Sequence, residues 1–157
     1  MTRTPHQAQE SETRARKNYT AVDFFMASEQ SHREQAELNQ QAAQDLRDTK
    51  PDWAVTMCFY SALHWVEFYA KTHGCDNLGQ QYPGRSLHES RTQYVDDLAR
   101  DLGNRALRKA YEELERTSKK SRYLQNINTN SREFFNKQKK EVNKSFENLR
   151  IITQLLS

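Results

Sequence analysis

The sequence predicts an all-α protein, an up-and-down bundle of four to five helices. Three observations carry this. Four glycines and three prolines punctuate 157 residues, too few for a turn-rich β protein. The straight-chain helix formers Glu, Gln, Lys, Arg, Ala and Leu are abundant. Apolar residues recur at helical spacing, and no segment alternates convincingly as a strand would. Hydrophobic residues make up 35% of the chain, enough for one small core. A single domain over residues 19–157 is therefore expected behind a polar, flexible tail at 1–18.

The elements follow in order. Residues 19–49 hold an aromatic clump, Val22, Phe24 and Phe25, and then a weak stripe of Ala36, Asn39, Ala43 and Leu46. Lys50-Pro51 ends that helix, because a residue before proline is driven out of the α region. Asp52 is expected to cap a second helix from about Trp53 to Thr72, with Gly74 in the C′ position. Its apolar residues, Trp53 to Tyr69, surround the axis, which marks a buried central post. "CDNLGQQYPGRS" reads as a loop. Ser86 and Glu89 form a capping box that starts a third helix at Leu87, with Leu87, Tyr94 and Leu98 inward. Gly103-Asn104 breaks it. A fourth helix from about Arg105 places Leu107, Tyr111, Leu114, Ser118 and Arg122 on one side. After "NINTN", Asn130 and Glu133 resemble a second capping box. A last helix carries Phe135, Val142, Phe146, Leu149, Ile152 and Leu156 as one long stripe.

Charge is unevenly spread. Residues 1–100 hold 11 basic and 14 acidic residues, net −3, and residues 101–157 hold 13 and 7, net +6. A basic C-terminal third suits an anionic partner such as RNA; a solvated lysine-rich face explains it equally well. The N-terminus has no apolar leader region, and residues 53–70 are too short and too interrupted to span a bilayer. Cys58 and Cys75 show no metal spacing. There is no Gly-rich phosphate loop, no His-Glu-x-x-His and no Cys-x-x-Cys. The expectation is a cytoplasmic protein with no membrane segment, no metal and no cofactor.

Two groups of polar residues could carry chemistry. Ser61, His64 and Glu67 share a side of the central helix. A buried carboxylate needs a proton or a cationic partner, and Arg122, on the inward stripe of the fourth helix, is the natural candidate for Glu67. His64 is expected as a buried structural group. His88 and Arg91 share a face at the start of the third helix, where the positive helix end favours anions. Arg85 adds a cation just before the cap. Asn126 would follow Arg122 by just over a turn if the fourth helix persists.

Taken together, "DWAVTMCFYSALHWVEFY", "SLHESR" and "YEELERTSKKSRYL" resemble the HEPN (higher eukaryotes and prokaryotes nucleotide-binding) superfamily. The similar features are an aromatic Phe-Tyr-x-Ala second helix, a His-x-x-Arg opening the third, and Tyr-x-x-Leu with Ser-Arg-Tyr in the fourth. The match covers roughly residues 52–125. It implies an up-and-down helical bundle, often a homodimer, and for many members a metal-independent ribonuclease in toxin–antitoxin or phage-defence systems. Their Arg-x4–6-His motif promotes attack of an RNA 2′-hydroxyl on its own phosphate. Here the residues four and six beyond Arg122 are Asn126 and Asn128, with no histidine. The expectation is thus a binding module for RNA or a nucleotide, or for a protein partner. The alternatives are a ribonuclease with a rearranged site of His88, Arg91 and Arg122, and a structural oligomerisation module.

Overall fold

The computed structural model describes residues 26–157; the expectations for residues 1–18 and for Val22, Phe24 and Phe25 lie outside the described residues. Among the described residues the chain forms seven helices and no strand. They are α1 (Glu29–Leu46), α2 (Pro51–Thr72), α3 (Leu78–Gln81), α4 (Leu87–Asp101), α5 (Arg105–Tyr123), α6 (Ser131–Lys137) and α7 (Lys139–Leu156). No helix among them is long and apolar enough to cross a membrane.

The second helix is the central post. α2 packs against α1, α4, α5, α6 and α7, and its Cys58, Phe59, Ala62, Trp65, Val66 and Ala70 lie in the main core with Leu107, Tyr111, Leu149 and Ile152. A smaller cluster of Val55, Phe135 and Val142 closes one end. Trp53 departs from expectation: it is 51% exposed, the one outward-facing residue in a first turn whose Pro51, Asp52 and Ala54 are buried.

Helix ends explain the remaining boundaries. α2 begins two residues earlier than expected, with Pro51 at the first helical position, where its missing N–H leaves no hydrogen bond unmade. Asp52 is therefore not the cap. It lies in the first turn, and its carboxylate accepts from Arg132 Nε at 2.9 Å and Ser131 Oγ at 3.4 Å, which ties α2 to α6. At the other end Gly74 has φ 85°, a left-handed conformation that glycine adopts at no steric cost. Cys75 N–H reaches Ala70 O at 2.8 Å and Gly74 N–H reaches Lys71 O at 3.2 Å, the paired bonds of a Schellman end. The capping box at Ser86 and Glu89 is complete. Asn104 caps α5, and Asn130 caps α6.

Three expectations are corrected. The loop after α2 contains α3, one turn capped by Asn77, which presses Leu78 into the core. α4 turns Ser90, Val95 and Ala99 inward and leaves Leu87 exposed, with Tyr94 and Leu98 only partly covered. Ser90 can be buried because its hydroxyl donates to Ser86 O at 3.0 Å. The last helix is two: Gln138, at φ −102° and ψ 58°, separates α6 from α7. That bend lets Phe135 reach Val55 while α7 runs along α2 and α5.

α5 is capped by Leu124, the residue after its last turn, a leucine at φ 53° and 49% exposed. The left-handed conformation costs a residue with a Cβ about 1–2 kcal/mol. Leu124→Gly removes that clash and little packing, so it should raise the unfolding free energy by about 1 kcal/mol, less than the full strain because glycine loses more chain entropy. Urea denaturation monitored by helical circular dichroism would check this; a destabilised variant would show that the Leu124 side chain matters more than its backbone.

Candidate functional site

The polar groups singled out in the sequence fall on the sides of α2, where α1, α4 and α5 meet it, but their pairing differs from expectation. Glu67 is buried, and its partner is Arg91, not Arg122. Arg91 Nε donates to Glu67 Oε1 at 2.6 Å. α4 delivers the guanidinium across its interface with α2, so Arg91 is committed to an internal ion pair and is not an open anion site. His64 is only partly buried and meets His32 of α1, with the two Nδ1 atoms 3.0 Å apart.

His88 also has a carboxylate partner. Its Nε2 lies 2.8 Å from Glu115 Oε1, and Lys119 Nζ donates to the same oxygen at 2.6 Å. Burial pushes the Glu115 carboxyl upward, but the bonds from Lys119 and His88 outweigh it and hold it below its ordinary value. The imidazole of His88 meets the Phe59 ring edge-on, with centroids 6.1 Å apart.

Arg122 approaches the same ring from α5. Its guanidinium lies 5.6 Å from the centroids of Phe59 and Tyr60 and 4.8 Å from that of Tyr123. Its hydrogen bonds go to neutral oxygens: Tyr60 Oη at 3.3 Å, Tyr123 Oη at 3.2 Å and Ser118 Oγ at 3.1 Å. Its Nε is buried and has no hydrogen-bond partner among the described residues, and no carboxylate among them forms an ion pair with it. The charge is thus held by aromatic faces and hydroxyls. Such cation–π contacts each contribute about 0.5–2 kcal/mol.

Beside Arg122 a cavity of about 290 Å³ opens between α2, α5 and the start of α6. Trp53, Tyr60, Arg122 and Ser121 line it, together with Asp52 and Ser131. Asp52 is neutralised there by Arg132.

Asn126 does not extend this site in the expected way. α5 stops at Tyr123, and the chain turns through Leu124 and Asn126, both left-handed. Asn126 lies in a separate notch of about 460 Å³ with Arg116, Lys120, Glu141 and Lys144. Lys120 and Glu141 pair there at 2.8 Å. Arg85 is exposed, one residue ahead of the α4 cap. The structure thus brings His88 and Arg122 to one ring, diverts Arg91 to Glu67, and leaves Arg85 and Asn126 elsewhere. Sequence reasoning missed Glu115, Trp53, Tyr60 and Tyr123 as companions of Arg122 and His88. Neither tyrosine carried a local signal: Tyr60 belongs to a helix apolar all round, and Tyr123 falls away from the α5 stripe and is exposed.

Other reactive groups are quiet. Burial pushes the Cys58 thiol up to about 12, so it behaves as a small hydrophobe. Among the described residues no cluster of three or more His, Cys, Asp or Glu could hold a metal. Tyr111 Oη is buried without a hydrogen-bond partner among the described residues, and burial pushes its phenol upward.

No family model matches the chain, no curated protein matches it, and no solved structure matches it.

Proposed function

We propose that this helical protein is a HEPN-like module that binds RNA or a nucleotide through Arg122 and the aromatic residues around it. The observation that carries the reading is the company Arg122 keeps. Its partners are neutral hydroxyls and rings, so its full positive charge stays available to a phosphate. A charge-assisted hydrogen bond from it to a phosphate is worth about 1.5–3 kcal/mol. Trp53 and Tyr123, 51% and 67% exposed, offer faces on which a base can stack, at about 1–3 kcal/mol each. Single-stranded RNA suits such a site better than duplex, because its bases are free to splay onto rings. The basic C-terminal third, net +6, would steer an anionic strand toward α5.

The test uses the protein's own reporter. Trp65 is 3% exposed, so fluorescence quenching by an RNA oligonucleotide reads chiefly Trp53. Wild type should quench with a salt-dependent affinity. Arg122→Gln should weaken binding about tenfold and reduce the salt slope by about one, as expected for loss of one phosphate contact. Equal affinity and slope for both proteins would rule out Arg122 as the contact.

One observation favours a second reading, a metal-independent ribonuclease. His88 is oriented by Glu115 and shares the Phe59 ring with Arg122, which places a proton carrier near a cation. Cleavage of labelled RNA in the presence of a chelator, abolished by His88→Ala, would establish it; intact RNA at binding-saturating protein would leave the binding module.

A further inference from the structure

We propose that His32 and His64 form an acid-labile clasp that holds the N-terminal half of α1 on α2, so that acidification releases this helix while the rest of the bundle stays closed. The clasp is independent of the Arg122 site.

The geometry is specific. The two Nδ1 atoms stand 3.0 Å apart and the ring centroids 5.3 Å, with one ring from each helix. A hydrogen bond between two imidazole nitrogens needs one N–H and one lone pair. One extra proton can be accommodated, since the charged ring still donates to the neutral one. A second proton leaves two N–H groups and two positive charges facing each other, and the contact becomes repulsive.

Among the described residues α1 has little else to hold this end. Its fully buried side chains are Ala36 and Ala43, and it packs chiefly on α2. Alanine methyl groups bury little apolar area. Two further ties are at this end: Ser61 Oγ donates to Ala36 O at 2.8 Å, and Asn77 Nδ2 donates a weak bond to Met26 Sδ at 3.5 Å, just ahead of the α1 cap. Another, from Arg47 to Asn143 at 2.8 Å, is at the far end of the helix. α4, α5 and α7, by contrast, are each anchored by larger apolar side chains.

The charged groups that act on both rings are Glu67 on α2 and Arg91 on α4; Lys71 on α2 acts on His32 as well. Glu67 favours protonation, but it is already bonded to Arg91. Burial pushes His64 down to about 4, and His32 and Arg91 push the same way. Burial likewise holds His32 below its ordinary 6.5, with Lys71 and Arg91 assisting. Both rings are therefore neutral while docked at neutral pH, and each takes a proton more readily once α1 is released. The clasp contributes fully above the ordinary histidine value and is lost as the pH falls from 6.5 toward 4. Each histidine can change the opening constant by up to about tenfold per pH unit across that window.

The experiment is amide hydrogen exchange on the full chain, corrected for the intrinsic pH dependence of exchange, comparing the first half of α1 with α5. In wild type, protection of residues 32–40 relative to α5 should fall at least about tenfold between pH 6.5 and 4.5. In the His32→Gln, His64→Gln double variant the ratio should stay flat. A flat ratio in wild type overturns the proposal, as does an equal fall in the double variant. Parallel loss of protection in α5 also overturns it, because that is unfolding of the whole bundle. If the double variant does not fold, imidazole resonances of the wild type decide. They should titrate with the α1 amides; release of α1 before either ring takes up a proton would sink the idea.

Discussion

Glu67→Gln is expected to lower the unfolding free energy by about 3–5 kcal/mol, the largest effect expected of a polar change in this protein. The Glu67 carboxylate is 9% exposed and the Arg91 guanidinium 16%, so solvent screens the pair weakly. Glutamine keeps the shape and can still accept a hydrogen bond. It removes the charge, and Arg91 is left as a cation enclosed between α2 and α4. The cost is chiefly that of the stranded guanidinium, so it should shrink when Arg91 is removed as well. The double variant Glu67→Gln, Arg91→Met should regain part of the loss. Urea denaturation of wild type, both single variants and the double would measure both terms. A Glu67→Gln variant within about 0.5 kcal/mol of wild type, the range of ordinary surface substitutions, would show that the pair is not enclosed in solution.

The second large effect is at Phe59. Its side chain is 1% exposed and packs on Tyr111 at 5.9 Å between ring centroids. Phe59→Ala leaves a void in the main core and should cost about 3–5 kcal/mol. The ring also supports two side chains of the candidate site, since His88 packs against it and Arg122 lies over its face. Phe59→Leu separates these roles. Leucine fills most of the volume and should cost under about 1.5 kcal/mol. It has no π-face, so Arg122 loses one of its three aromatic supports, and under the proposed RNA-binding function affinity should drop although the fold persists. Thermal denaturation beside the Trp53 quenching assay would read both quantities. Undiminished affinity in Phe59→Leu would mean that the ring serves the core alone.

The helix boundaries were legible in the sequence because capping is a local code. Ser86 with Glu89, Asn130 with Glu133, Gly74 and Gly103-Asn104 all mark ends within a residue or two of their signals. Asp52 misled because two signals overlapped: proline at the first helical position and an acidic residue beside it both mark a start, and the proline took precedence. The failures at the site are of another kind. Glu67 required a cation, and that much follows from one apolar helix. Which cation it finds depends on how α4 and α5 rotate against α2, and single-helix periodicity does not encode that rotation. The same rotation turned Ser90 inward and Leu87 outward. His32 stands in a polar stretch with no apolar stripe beside it, so nothing local distinguished it from a surface histidine. The bend at Gln138 escaped because the apolar spacing of Phe135, Val142 and Phe146 runs almost unbroken through it.

The central position of α2 also sets the order in which the chain can assemble. α1 and α2 adjoin in sequence, and so do α4 and α5, so each of these pairs forms by closing a short loop. α7 meets α2 only across all the intervening chain, and closing so long a loop costs more entropy. On loop-closure entropy alone, the seat of Val142, Leu149 and Ile152 against α2 is expected to form late in folding. Until it closes, one flank of α2, the most apolar of the described helices, is bare. Any chain caught with that α2 flank uncovered is expected to be the form most prone to associate wrongly with another.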